Sequence, residues 1–161
     1  ARLVIRICLV CLGNICRSPT AEGVMRHLVA EAGLDGEIEV DSAGTAAYHV
    51  GEPPDRRSQA AARRRGVELG GRARRFEKRD FGRFDYVVAM DGDNLDDLLA
   101  LAPDGSADRV MLLRSWDPRA AHGAGVPDPY YGGERGFDDV VEIVFSGCRG
   151  LLAEIRRRHE L

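Results

Sequence analysis

Lysine is nearly missing from this chain: of its 23 basic side chains only Lys78 is lysine, and the rest are arginine. Genome base composition is sufficient to produce that skew, so it carries no functional weight. Long apolar runs are missing too. The richest, residues 3–10, is broken by Arg6 and falls far short of the ~20 residues a membrane helix needs. With no charged, apolar, small-residue leader ahead of it, the expectation is a soluble cytoplasmic protein with no membrane partner. A strong charge of one sign is also lacking. The formal net charge of −3 gives no electrostatic case for nucleic acid. The local basic stretch Arg63, Arg64, Arg65, Arg72, Arg74, Arg75 and Arg79 is expected to be a solvated helix face. Cysteine is scarce, and three of the four (Cys8, Cys11, Cys16, Cys148) crowd one short segment. A disulfide framework spreads its cysteines, so reduced thiols are expected.

What is present suits one core. A length of 161 residues with 44% hydrophobic content points to a single domain over residues 1–161. Residues 3–10 read as a strand buried on both faces, 37–40 as a short second strand, 86–90 as a third and 110–113 as a fourth. Between them, Ala21, Val24, Met25, Leu28, Val29 and Ala32 recur at helical spacing up to Gly33, with Pro19 at the first helical position and Ser18 as cap. Asp55 caps a helix ending at Gly66, and Asp93 opens one carrying Leu95, Leu98 and Leu99. After a long loop from 114 to 135, Phe137, Val140, Val141, Val144, Phe145, Cys148, Leu151, Leu152 and Ile155 mark a final helix. Strands alternating with helices predict an α/β fold: a four-stranded parallel sheet with helices on both faces. Ligands of such folds bind at the carboxyl ends of strands, which directs attention to residues 11–18.

Cys11-Leu12-Gly13-Asn14-Ile15-Cys16-Arg17-Ser18 links a buried strand to a helix. Backbone N–H groups there can converge at the positive end of the helix dipole and cradle a phosphate dianion. Gly13 is expected to take the left-handed angles that curl the loop, with Asn14 tolerating them and bracing it. Arg17 offers a planar fork to two phosphate oxygens. A free thiol ionises near pH 8.5, and a helix N-terminus with a cation lowers this to roughly 3.5–7.5. Cys11 has that setting and is expected to be a resting thiolate nucleophile, with Ser18 donating to its sulfur. Cys-x5-Arg by itself is a weak pattern, and a buried cysteine beside a surface arginine is the plain alternative. Its strand, glycine, asparagine and helix context favours the cradle.

Val10-Cys11-Leu12-Gly13-Asn14-Ile15-Cys16-Arg17-Ser18-Pro19 resembles the signature of the low-molecular-weight protein tyrosine phosphatases. Asp41-Ser42-Ala43-Gly44-Thr45, Gly51-Glu52-Pro53-Pro54-Asp55, Phe84-Asp85-Tyr86-Val87-Val88-Ala89-Met90-Asp91 and Asp128-Pro129-Tyr130-Tyr131-Gly132 are similar to family segments in the same order. The resemblance spans essentially the whole chain and implies a flavodoxin-like fold. It also implies hydrolysis of phosphotyrosine through a cysteinyl-phosphate intermediate, without metal or other cofactor. On its own, Asp-Pro would read as a turn; the resemblance makes Asp128 the general acid and base. It makes Tyr48 and Tyr130, with Tyr131, aromatic walls of the substrate pocket. Asn14, Glu22 and Ser42 become a network supporting the loop. One departure is visible: Gly71 stands where many relatives carry a histidine in that network, so weaker or water-filled bracing is expected. The implied partners are a phosphotyrosine-containing protein substrate and a tyrosine kinase, with Tyr130 and Tyr131 as candidate phosphate acceptors. Oligomeric state is left open.

Three other functions are compatible with parts of the sequence. Cys8-x-x-Cys11 as a zinc or redox site lacks further ligands, His27 being in a helix with no second pair nearby. Cys8 reads better as a small buried hydrophobe, and Cys16 as a reversible disulfide partner for Cys11. A thiol-dependent arsenate reductase of the same fold needs downstream shuttle cysteines, and none lies between Cys16 and Cys148. A non-catalytic phosphotyrosine-binding module would have replaced Cys11 or Asp128, and both are present.

Overall fold

The computed structural model describes residues 3–130 and 133–161. Four strands, β1 (Ile5–Cys11), β2 (Ile38–Gly44), β3 (Tyr86–Ala89) and β4 (Val110–Leu112), form one sheet in the order β2-β1-β3-β4. All three pairings are parallel, with Cys11 opposite Gly44 and Val10 opposite Ala89. Among the described residues four α-helices accompany them: α1 (Arg17–Glu31), α2 (Arg56–Arg63) and α3 (Gly92–Leu101) lie between successive strands, and α4 (Glu134–His159) follows β4. Among the described residues, no helix is long and apolar enough to cross a membrane.

Strand β1 shows why both faces must be covered. Its side chains alternate across the sheet. Ile5, Ile7, Leu9 and Cys11 enter the larger core with α1, α2 and α4, while Cys8 and Val10 join Phe76, Phe81, Phe84, Val87 and Leu98 on the opposite face. Every β1 residue except Arg6 is buried. That layering is the predicted α/β sandwich, and it sends the carboxyl ends of β1, β2 and β3 to one edge.

Several boundaries differ from expectation, each for a local reason. Helix α1 begins at Arg17 with Cys16 as its cap residue, and no side chain caps it. Ser18 is therefore not the cap, and Pro19 sits in the third helical position. There its missing N–H still falls among the unpaired donors of the first turn. Helix α3 is capped by Asp91, whose Oδ1 accepts the Asn94 N–H at 2.8 Å, not by Asp93. Strand β2 continues through Asp41 and Ser42 to Gly44, because pairing with Cys8, Leu9 and Val10 outweighs the polar side chains.

The basic stretch is not one solvated helix face. Helix α2 ends at Arg63, and Arg74 turns inward, with Nη2 at 3.2 Å from Asp41 Oδ2 and Nη1 at 3.2 Å from Asp80 Oδ2.

Helix α4 packs closely against the turn that follows β4, residues Leu113–Trp116, through small residues. A Cβ on Gly150 would lie 2.6 Å from the Trp116 carbonyl carbon, and one on Gly147 would lie 3.0 Å from Leu113 Cγ. Backbone cannot yield as a flexible side chain does. Gly150→Ala is thus expected to lower unfolding free energy by about 1–3 kcal/mol despite its better helix propensity, as urea denaturation measures.

Candidate active site

The loop between β1 and α1 is shaped by one left-handed residue. Asn14 has φ +58°, whereas Gly13 does not enter the left-handed region. Gly13 serves by size instead, since a Cβ there would meet His49 Cδ2 at 2.9 Å. This corrects the expectation that Gly13 curls the loop.

Asn14 is fully engaged, which sets the direction of a hydrogen-bond chain. Its Oδ1 accepts the Arg74 N–H at 3.0 Å, so Nδ2 must face the other way. Nδ2 donates to Ser18 Oγ at 2.8 Å and to Ser42 Oγ at 3.0 Å. Ser42, having accepted, donates to Glu22 Oε1 at 2.7 Å. Ser18, having accepted, has its own proton free for Cys11 Sγ at 3.0 Å, with the Ala43 carbonyl a longer alternative at 3.4 Å. The loop network named from the sequence is therefore assembled. Gly71 (φ +78°) meets no atom within 4 Å at its Cβ position and borders a cavity of about 220 Å³ beside Asn14, Glu22 and Ser42. The Arg74 backbone N–H braces Asn14 without any side chain at position 71.

Arg17 is 3% exposed. Its Nη1 donates to Asp91 Oδ2 and, at 3.1 Å, to the Val126 carbonyl, and its Nη2 lies 3.6 Å from Asp128 Oδ2. Burial works against its charge. Attraction to Cys11, Asp91 and Asp128 outweighs that and leaves its pKa above the ordinary arginine value. Cys16 lies in the same loop, but burial pushes its thiol up to about 12. Burial likewise raises Cys8, against a smaller opposing pull from Arg74, and Cys148.

A cavity of about 150 Å³ is lined by the buried Cys11 and Arg17, by Gly13, Tyr48, His49 and Tyr130, and by Asp128. Leu12, Ile15 and Cys16 complete the lining. Asp128 is half exposed, and its Oδ1 accepts the Tyr130 N–H at 3.0 Å. Tyr131 lies outside the described residues. A larger groove of about 680 Å³ beside Arg6, Arg26 and Phe84 has no cysteine, serine, threonine or histidine in its lining. Among the described residues, no group of three or more His, Cys, Asp or Glu side chains is arranged to hold a metal ion.

Sequence reasoning did not assign Asp91, Val126, Arg74 or His49 to the site. Asp91 closes a segment already noted and follows the carboxyl end of β3, where ligand-handling residues of such sheets gather. Val126 and Arg74 carry no local signal, because a backbone carbonyl or N–H is the same at every position, and His49 enters through its ring from a loop with no periodicity to mark it.

A cysteine sulfur that lines one cavity with a buried guanidinium and a carboxyl group, next to a helix N-terminus, is a set that can attack a tetrahedral oxyanion centre while the carboxyl group protonates what leaves. That geometry defines a class: α/β proteins built around a cysteine-centred oxyanion loop. Within it the comparisons are specific. A family model for low molecular weight phosphotyrosine protein phosphatase matches residues 6–161. A low molecular weight protein-tyrosine-phosphatase from Streptomyces coelicolor is 48% identical over 96% of this chain and 96% of its own length. The human low molecular weight phosphotyrosine protein phosphatase is 41% identical, over 89% and 90%. Among solved structures, a protein tyrosine phosphatase from Entamoeba histolytica with Hepes in the active site superposes with a TM-score of 0.92 at 36% identity, covering 98% and 99%. YfkJ from Bacillus subtilis gives 0.90 at 39% identity, covering 97% of each chain. The chain belongs to the low molecular weight phosphotyrosine protein phosphatase family.

Glu22 titrates with a definite sign. Burial raises its pKa more than the Ser42 hydrogen bond and Arg26 lower it. The folded state then holds the proton to higher pH than the unfolded chain, whose glutamate has a pKa of about 4.3. Its contribution to stability is thus greatest below that pH and is lost as pH rises through the folded pKa. Wild-type stability is expected to fall relative to Glu22→Gln as pH increases from about 4, followed by urea unfolding of both proteins across the range.

Proposed function

We propose that this chain is a protein tyrosine phosphatase that hydrolyses phosphotyrosine and small aryl phosphates, with Cys11 as nucleophile, Arg17 as phosphate clamp and Asp128 as general acid and base. The observation that carries the reading is the convergence of those three side chains on one cavity of about 150 Å³. Its relatives bear the names of such enzymes.

In the first half-reaction the Cys11 thiolate attacks phosphorus while the loop N–H groups and the Arg17 fork hold the three non-bridging oxygens. The P–O bond to the aryl group breaks. A phenolate of pKa about 10 is a poor leaving group, so Asp128 delivers its proton to the departing oxygen. The product is a cysteinyl phosphate, a carboxylate and a free phenol. In the second half-reaction Asp128 takes a proton from water, the resulting oxygen attacks phosphorus, the S–P bond breaks, and inorganic phosphate leaves with the thiolate regenerated. Ser18, with its proton free for Cys11 Sγ, can donate to the sulfur as it attacks and as it leaves.

Tyr48 and Tyr130 flank the cavity mouth. Flat rings there suit a phenyl ring and set a depth that the shorter phosphoserine does not span. Cys8 and Cys148, both fully buried, are poorly placed to relay a disulfide, which favours the phosphatase over an arsenate reductase. The reaction requires a tyrosine kinase as the source of its substrate, and the reduced thiols fit a cytoplasmic setting.

Hydrolysis of p-nitrophenyl phosphate without added metal is the expected activity. Cys11→Ser should abolish it, and Asp128→Ala should lower kcat with phenyl phosphate by roughly 10²–10⁴. Turnover by Cys11→Ser, or full activity in Arg17→Ala, overturns the assignment.

A further inference from the structure

Arg57 lies outside the phosphate loop, yet it joins two parts of the site. At the start of α2 its Nε and Nη2 donate to Asp55 Oδ1 and Oδ2 at 3.1 and 3.0 Å, and its backbone N–H donates to Asp55 Oδ1 at 2.8 Å. Asp55 is itself tied to the phosphate loop, because its N–H donates to the Ile15 carbonyl at 2.8 Å. Burial tends to raise the Asp55 pKa, but the bonds from Arg57 outweigh it and hold the carboxyl below its ordinary value. The pair is therefore charged at neutral pH and fixed on the loop.

The other side of Arg57 reaches toward Asp128. Its guanidinium carbon stands 5.4 Å from the centre of the Tyr130 ring and 4.5 Å from that of Phe137. Both distances are within cation–π range. A guanidinium that uses its edge for a bidentate carboxylate keeps its faces for aromatic rings, which an ammonium cannot do. Phe137 is a core residue of α4, 2% exposed. The backbone N–H of Tyr130 holds Asp128 Oδ1. A continuous series of contacts thus runs from Ile15 through Asp55 and Arg57 to Tyr130 and Asp128.

Asp128 needs such support. Its side chain is 45% exposed, and the Arg17 guanidinium with which it pairs is 3.6 Å away. A carboxyl that delivers a proton must be held within about 0.5 Å of its working position. We infer that Arg57 is a positioning residue for the proton donor, locking the Tyr130 ring and with it the Asp128 segment against the phosphate loop through Asp55. This rests on Asp128 being the general acid.

The test is kcat/KM over aryl phosphates of rising leaving-group pKa, from p-nitrophenyl to phenyl phosphate, for wild type, Arg57→Ala, Arg57→Lys, Asp128→Ala and the double alanine variant. Loss of the acid steepens the leaving-group dependence. Arg57→Ala is expected to lose about tenfold with phenyl phosphate and less than about threefold with p-nitrophenyl phosphate, a fraction of the 10²–10⁴ that a full acid supplies. Iodoacetate should alkylate Cys11 at the wild-type rate in that variant, separating the effect from damage to the phosphate loop. Arg57→Lys, which keeps a cation near the rings without the planar fork, should recover part of the loss; it also serves as the working variant should Arg57→Ala fold poorly. In the Asp128→Ala background, removing Arg57 should cost nothing further, because the two act through one function. Equal losses on both substrates, or losses that multiply in the double variant, overturn the inference while a steep Asp128→Ala profile leaves the acid assignment standing. A flat Asp128→Ala profile overturns both.

Discussion

The site depends on one side-chain amide. Asn14 sits in a left-handed conformation that most residues avoid by about 1–2 kcal/mol, and its three hydrogen bonds, to Arg74, Ser18 and Ser42, are what hold it there. Because the oxygen is committed to a backbone N–H, both amide protons point to serines. Those serines are then obliged to donate onward, one toward Cys11 and one toward Glu22. A single orientation at the loop's turning point thereby decides the polarity of hydrogen bonds on both sides, including the one that reaches the sulfur.

Electrostatics follow the same economy of parts. Arg17 is a buried cation, which is unfavourable unless it is paired and hydrogen-bonded. Asp91, just after β3, and the Val126 carbonyl, in the loop that precedes α4, meet those needs. The guanidinium is thus held in place before any phosphate arrives, so that substrate binding need not order it. Asp91 also caps α3, with one carboxylate oxygen on the Asn94 N–H and the other on Arg17. The fold and the clamp are joined through that residue.

The outer half of the site is built differently. Tyr48 is 76% exposed, Asp128 is half exposed, and the aromatic rings contact arginine and histidine more than one another, with His49 6.0 Å from Tyr130 and Arg57 over the same ring. A rigid floor with a more open rim suits a reaction in which phosphate geometry is fixed while the group attached to it varies.

Much of this was legible in the residues themselves. Alternation of apolar strands and amphipathic helices specified a parallel sheet, because each face of β1 had to be buried. The Cys11–Ser18 loop was readable because glycine, asparagine, cysteine and arginine at that spacing at a strand end serve few purposes other than an anion cradle. The resemblance supplied Asp128, which an Asp-Pro dipeptide alone would have left as a turn. Tertiary structure decided what chain-local patterns cannot carry. It placed the first turn of α1 two residues earlier, freed Ser18 for the sulfur, gave the left-handed role to Asn14 and a packing role to Gly13, and turned Arg74 from solvent toward Asp41 and Asp80. It also brought Asp91, Val126 and Arg57 to a loop that lies 40 to 109 residues away from them in sequence. Sequence encodes propensity and periodicity over a few neighbouring residues, whereas these assignments depend on which distant donor and acceptor come within hydrogen-bond reach once the strands are in register.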